Sequence, residues 1–145
     1  MELNKDDFQA LNVIFLALVT GQVLFAGVVY YLLQDPEAVP DYILGPNQDL
    51  YLVLAYGLAT VFASRFLDQM RVKSIPTLQN IAGDAFAHYR SSVILRLAVL
   101  EGGTLLVITM ALITHNGQLL FLVLPLLFAF YLAKPSAEEF AARYG

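Results

Sequence analysis

The chain has 145 residues, 59% of them hydrophobic and only 14% charged, with a formal net charge of −4. A soluble domain carries roughly 25% charged residues, so the charge here is too sparse to cover a water-exposed surface. The eight Lys and Arg residues are scattered, which excludes a basic face for nucleic acid, and the absence of cysteine excludes disulfides, thiolate metal sites and a cysteine nucleophile.

A hydrocarbon core of about 30 Å requires roughly 20 apolar residues in a helix, and in chain order four stretches qualify, the second and fourth near the short limit. The first covers about 10–33. Its start is net acidic (Glu2, Lys5, Asp6, Asp7) and its apolar run exceeds a secretory core of about 7–15 residues, so it reads as a retained span. Asn4 with Asp7 three residues on predicts an N-cap ahead of the membrane, and Gln34-Asp35-Pro36 ends the helix. The second covers about 50–66, introduced by Pro46-Asn47-Gln48-Asp49. The longest connection, 67–92, carries an apolar stripe at Ile75, Leu78, Ile81, Ala82, Phe86 and Tyr89 spaced for one helical face. No proline or glycine lies between Ala85 and Leu100, so this helix is expected to continue into the third span, about 93–114. Asn116-Gly117 is a turn signal that closes a hairpin with the fourth span, about 119–133. Lys134-Pro135 ends that span, and Ser136 with Glu139 predicts a short helix over 136–144.

Direction follows from charge. The Asp35–Asp49 loop holds four acids and no base, and the 115–118 turn has neither. With both termini inside, all eight basic residues fall on the cytoplasmic side, as the positive-inside bias demands. The expected fold is therefore all-α, an integral membrane four-helix bundle with both termini cytoplasmic. Tyr30, Tyr31, Tyr42 and Tyr51 would form an aromatic belt at its outer boundary.

Spans one and three align at an offset of 81: Ala17-Leu-Val-Thr20-Gly21-Gln22 over Ala98-Val-Leu-Glu101-Gly102-Gly103. If this is a repeat, the chain is two related hairpins and Thr20 corresponds to Glu101. Both segments show small-xxx-small spacing, Ala17/Gly21 and Ala98/Gly102, and span two has Ala55, Ala59 and Ala63. Such grooves let helices approach closely. They predict packing inside the bundle or, alternatively, a subunit interface.

Glu101 dominates the functional reading. Nine residues beyond Ser92, it lies roughly 13–14 Å into the third span, where an ionised acid costs at least about 2.5–3.5 kcal/mol. Arg96 is five residues away, about 140° around the helix, a poor spacing for a direct pair, and it is close enough to the cytoplasmic face to snorkel out. The partners expected for Glu101 are therefore on other helices: Gln22, Thr20, Tyr56 and Thr60. Either Glu101 reversibly carries a proton or cation, or it is a hydrogen-bonded pin that sets helix register. His88 follows Asp84 by one turn, a spacing that suits a metal, but two ligands make a weak site and a solvated face is the expected reading. Phosphate loops, triads and paired haem ligands are missing from the sequence, and no enzyme or cofactor is expected.

At Arg96-Leu-Ala98-Val-Leu-Glu101-Gly102, His115-Asn116-Gly117 and Lys134-Pro135-Ser136, with Gly21-Gln22 in the first span, the chain resembles a group of small bacterial membrane proteins without an assigned activity. The resemblance implies a multi-pass protein of a bacterial inner (cytoplasmic) membrane, with four spans and an Arg-x-Ala-x-x-Glu-Gly core in the third. A more distant likeness, carried by Ala98-x-x-Glu101 and the possible doubling, is to the proteolipid subunits of rotary ATPases, and it implies ion binding at the carboxyl. Those subunits differ in placing the acid on the last helix of a hairpin and in having a glycine ladder. Three expectations result: a homo-oligomeric subunit binding a proton or cation at Glu101, a non-transporting partner in a larger membrane complex, or a small-solute exporter.

Overall fold

The computed structural model describes residues 5–37, 39–75 and 85–144, with side chains from Phe8 onward. Every regular element among them is helical: α1 (Lys5–Leu32), α2 (Pro46–Lys73), α3 (Ala85–Ile113), a 3₁₀ helix (Gly117–Leu122), α4 (Val123–Leu132) and α5 (Ala137–Tyr144). Three helices, α1 to α3, are long and apolar enough to cross a membrane. The 3₁₀–α4 run, bent by 57° against α5, makes up to four. The expected Asn4–Asp7 cap and the Leu78, Ile81 and Ala82 part of the stripe lie outside the described residues.

The fourth run spans 16 residues, short for a membrane crossing by α-helical rise alone. Its first six are 3₁₀ and its last ten α-helical. At about 2.0 Å and 1.5 Å rise per residue, together they reach about 27 Å, close to a hydrocarbon core. Pro125 explains where the α-helix begins. It has no N–H to give, and a start at Val123 puts it in the first turn, where no donor is needed.

Two apolar clusters fill the interior. At one end, Leu11 and Phe15 of α1 meet Tyr89, Val93, Leu97 and Leu100 of α3, Phe130 of α4 and Phe140 of α5. At the other, Val29, Val53, Val107, Ile108 and Ala111 meet Leu119, Val123 and Leu126. The helices pass between the clusters in alternating directions, so α1 runs parallel to α3 and α2 to α4. The first end carries Arg65, Arg71, Arg96 and Arg143 and is called here the basic end; the 33–49 loop marks the acidic end.

The bundle is not two side-by-side hairpins. α3 is the central helix, packed against α1, α2, the 3₁₀ helix and α4, whereas α1 and α2 share no packed seam with each other. The first two helices therefore each pack against α3 rather than forming a packed hairpin with each other. α2 and α3 also extend beyond the expected spans, to Lys73 and back to Ala85, so the described parts of the 67–92 connection continue the spans.

The loops are locked as their residues suggest. The buried Asp49 carboxylate accepts from Ile43 N (2.8 Å) and Leu44 N (2.9 Å), and Asp41 N donates to Thr114 O (2.9 Å). The Asn116 side chain caps the 3₁₀ helix by accepting from Gln118 N at 3.1 Å. The left-handed residue of this turn is His115 (φ 47°), rather than the glycine beside it.

Candidate functional site

Glu101 lies midway along α3, partly buried, and forms no hydrogen bond or ion pair among the described residues. It shares a helical stripe with Leu97, Thr104 and Ile108, all fully buried, and so lies at the edge of the inward face. Leu97 belongs to the cluster that includes Leu11 and Phe15, which places this edge on the α1 flank.

Gln22 is 1% exposed, and neither Nε2 nor Oε1 has a hydrogen-bond partner. A buried amide left unpaired costs several kcal/mol, so it requires an explanation. Leu18 and Val19 pack with the Leu97–Leu100 cluster, and Phe25 and Ala26 with the Val107–Ile108 cluster. Gln22 therefore stands between the clusters, at the level of Glu101 and Thr104. The Thr104 hydroxyl is spent on its own helix, donating to Leu100 O (3.0 Å). One carboxyl and one amide thus share a level and a flank, both without a described partner.

The other expected partners are elsewhere. Thr20 is exposed on α1. Thr60 donates to Tyr56 O (2.9 Å) and packs on α3 at Gly103, on the α2 flank. Arg96 does not snorkel to solvent: it is 5% exposed, and its guanidinium is held at the basic end.

What holds Arg96 was not anticipated. Its Nη1 and Nη2 donate to Glu139 Oε1 (2.5 Å) and Oε2 (2.7 Å). Arg143 donates to Asp68 through the same fork, at 3.0 and 2.6 Å. Arg143 also lies 2.8 Å from Glu139, and Arg96 3.6 Å from Asp68. The result is a closed ring of alternating charge that ties α2 and α3 to α5. Paired forks of this kind are strong and directional. The buried Tyr89 hydroxyl donates to Glu139 Oε2 (2.8 Å) and accepts from Ser136 N (3.0 Å). Burial of the Glu139 carboxyl favours its neutral form, but the Arg96 fork, the Tyr89 hydroxyl and Arg143 outweigh this and hold it below the usual glutamate range.

Half of the expected capping box at α5 forms. Glu139 N donates to Ser136 Oγ at 3.1 Å, while the Glu139 side chain turns to the arginines instead of reaching back. His88 bridges Ser74 Oγ (3.1 Å) and Tyr144 OH (2.5 Å). Asp84 lies outside the described residues, and no metal-binding group of three ligands occurs among those described.

The small-residue grooves do not pack the bundle internally. Ala17, Gly21, Ala55, Ala59, Ala63, Ala98 and Gly102 are all exposed, and a Cβ placed at Gly21 or Gly102 meets nothing within 4 Å. The close helix contact is made one residue later. A Cβ at Gly103 would lie 2.8 Å from Thr60 Oγ1 and 2.9 Å from Thr60 Cβ. The expected packing faces therefore point outward, where Ala59, Ala63, Ala98 and Gly102 line an open groove between α2 and α3. Comparison of the chain with protein families, with curated proteins and with solved structures finds no match.

Proposed function

We propose that the chain is a multi-pass protein of a bacterial inner membrane, its basic end cytoplasmic, acting as a homo-oligomeric subunit that binds a proton or small cation at Glu101. The reading rests on one observation: an acid midway along the central helix, partly buried and unpaired among the described residues, level with a buried Gln22 that also lacks a described partner. An intramembrane carboxyl without a fixed partner can exchange its proton, because neither protonation state is locked by a neighbour. Gln22 offers both an acceptor and a donor, so its amide suits a carboxyl in either state, directly or through water. The likeness to proteolipid subunits favours the same chemistry.

Modification by a hydrophobic carbodiimide tests this. Glu101 reacts only as the protonated acid, so labelling declines with rising pH and disappears in Glu101→Gln. Ion flux in liposomes carrying Glu101→Gln that equals that of the wild type overturns the reading.

The outward groove of Ala59, Ala63, Ala98 and Gly102 favours a second reading, in which the chain is a non-transporting assembly subunit that receives another protein's helix there. In that case Ala59→Leu and Gly102→Leu remove a co-purifying membrane partner while the bundle still folds. Retention of the partner by both variants counts against it.

A further inference from the structure

Between α2 and α4 lie two cavities that both have Val61 in their walls. The one nearer the middle of the helices, about 70 Å³, is apolar and bounded by Leu54, Gly57, Pro125 and Leu126. The one at the basic end, about 80 Å³, is bounded by Ser64, Arg65, Asp68, Arg96, Glu139 and Arg143. Taken as one slot along the same pair of helices, they are greasy toward the bundle centre and charged at the mouth, the distribution of an amphiphile. The charge has a sign. Arg96, Glu139, Arg143 and Asp68 neutralise one another in their ring, whereas the exposed Arg65 forms no ion pair among the described residues, which leaves one surplus positive charge. A second observation points to an acceptor from outside the chain. Arg96 bounds the charged cavity, is 5% exposed, and its Nε has no hydrogen-bond partner. A guanidinium N–H buried without an acceptor is costly, and a turn of the Arg96 side chain toward the charged cavity would bring it to a phosphate oxygen there.

We propose that this slot binds an anionic phospholipid of the leaflet at the basic end, with an acyl chain along Leu54, Gly57 and Leu126 and the phosphate at Arg65 and Arg96. A free phosphate uses only the charged mouth; the apolar continuation past Val61 commits the site to a lipid. The proposal rests on the membrane placement above but not on the chemistry of Glu101.

Native mass spectrometry of the full chain in detergent tests it, with dioleoylphosphatidylglycerol, dioleoylphosphatidylcholine and inorganic phosphate as probes. Phosphatidylglycerol is expected to bind roughly fivefold more tightly than phosphatidylcholine, the contribution of about one basic residue near a membrane surface. Arg65→Gln, at an exposed position, erases that preference and Arg65→Lys keeps it. Gly57→Leu, which fills the apolar cavity, weakens both lipids. Glu101→Gln leaves lipid binding unchanged, so a failed ion-flux test and a failed lipid test remain distinct. Equal retention of the two lipids, or a preference that survives Arg65→Gln, overturns the proposal. So does phosphate that displaces the lipid completely while Gly57→Leu has no effect, because the site then serves a free anion.

Discussion

Gly102 and Gly103 are neighbours in sequence, but a side chain at one points to open space and at the other runs into Thr60. Gly103→Ala is therefore expected to destabilise the bundle by about 1–3 kcal/mol, the usual cost of overpacking. Gly102→Ala should stay within about 0.5 kcal/mol of wild type. Chemical unfolding in mixed micelles separates the two. Arg96 is the other residue whose loss should be severe. Arg96→Ala leaves Glu139 half-buried without its fork, and removing one partner of a buried pair costs about 3–5 kcal/mol; replacing Arg96 and Glu139 together by Met and Leu should cost less than the single change. Thermal melting in detergent checks both. Glu101 was identifiable from sequence because a lone acid in an apolar run needs no fold to be noticed. The inward choice of Gly103 over Gly102 was not: α3 is apolar on nearly every side, and periodicity marks an inner face only where the opposite face is polar. The charge ring was equally hidden. Asp68, Arg96 and Glu139 are separated by 28 and 43 residues, and only the fold brings them together.

The start signals of α2, the 3₁₀ helix and α5 were legible, since Pro46, Asn116 and Ser136 act on their immediate neighbours. The lengths of α2 and α3 were less so. Asp68, Arg71 and Lys73 look like loop residues by composition, whereas in the fold the last turns of α2 carry them past the apolar span. For α5, attachment depends on pH. Glu139 sits below its ordinary value near 4.5, so its contribution is fully present above that value and is lost as the pH falls through the lower, folded one. The protection factors of residues 137–144, corrected for the intrinsic pH dependence of amide exchange, should be high at neutral pH and should fall on acidification below the ordinary glutamate value of 4.5. Glu139→Gln is expected to exchange fast at every pH and to flatten the response. A helix that stays protected in acid speaks against the ring as its anchor.

For the whole molecule, the expectation of an all-helical chain with up to four membrane-length stretches agrees with the structure, while the packing of α1 and α2 on α3 could not be read from hydropathy. Hydropathy counts crossings but carries no information about which neighbours touch, because lipid and protein interior are equally apolar. Orientation is open to a direct measurement. The chain has no cysteine, so single cysteines at Gln118 and Lys134 can be labelled in intact cells by an impermeant maleimide. Gln118→Cys should react from outside and Lys134→Cys only after lysis; the reverse pattern inverts the proposed topology. The sixteen-residue return through the molecule has a consequence of its own. At about 27 Å it is far shorter than α1, α2 and α3, which at 28 or 29 residues measure about 42–44 Å. In the proposed membrane placement, a surrounding bilayer meets a wall of unequal height, with no slack along the side where Pro125 and Phe128 face outward. Lipid there must thin or the whole body must lean, at a cost of fractions of a kcal/mol per ångström, so thicker membranes should disfavour the protein through its shortest side alone.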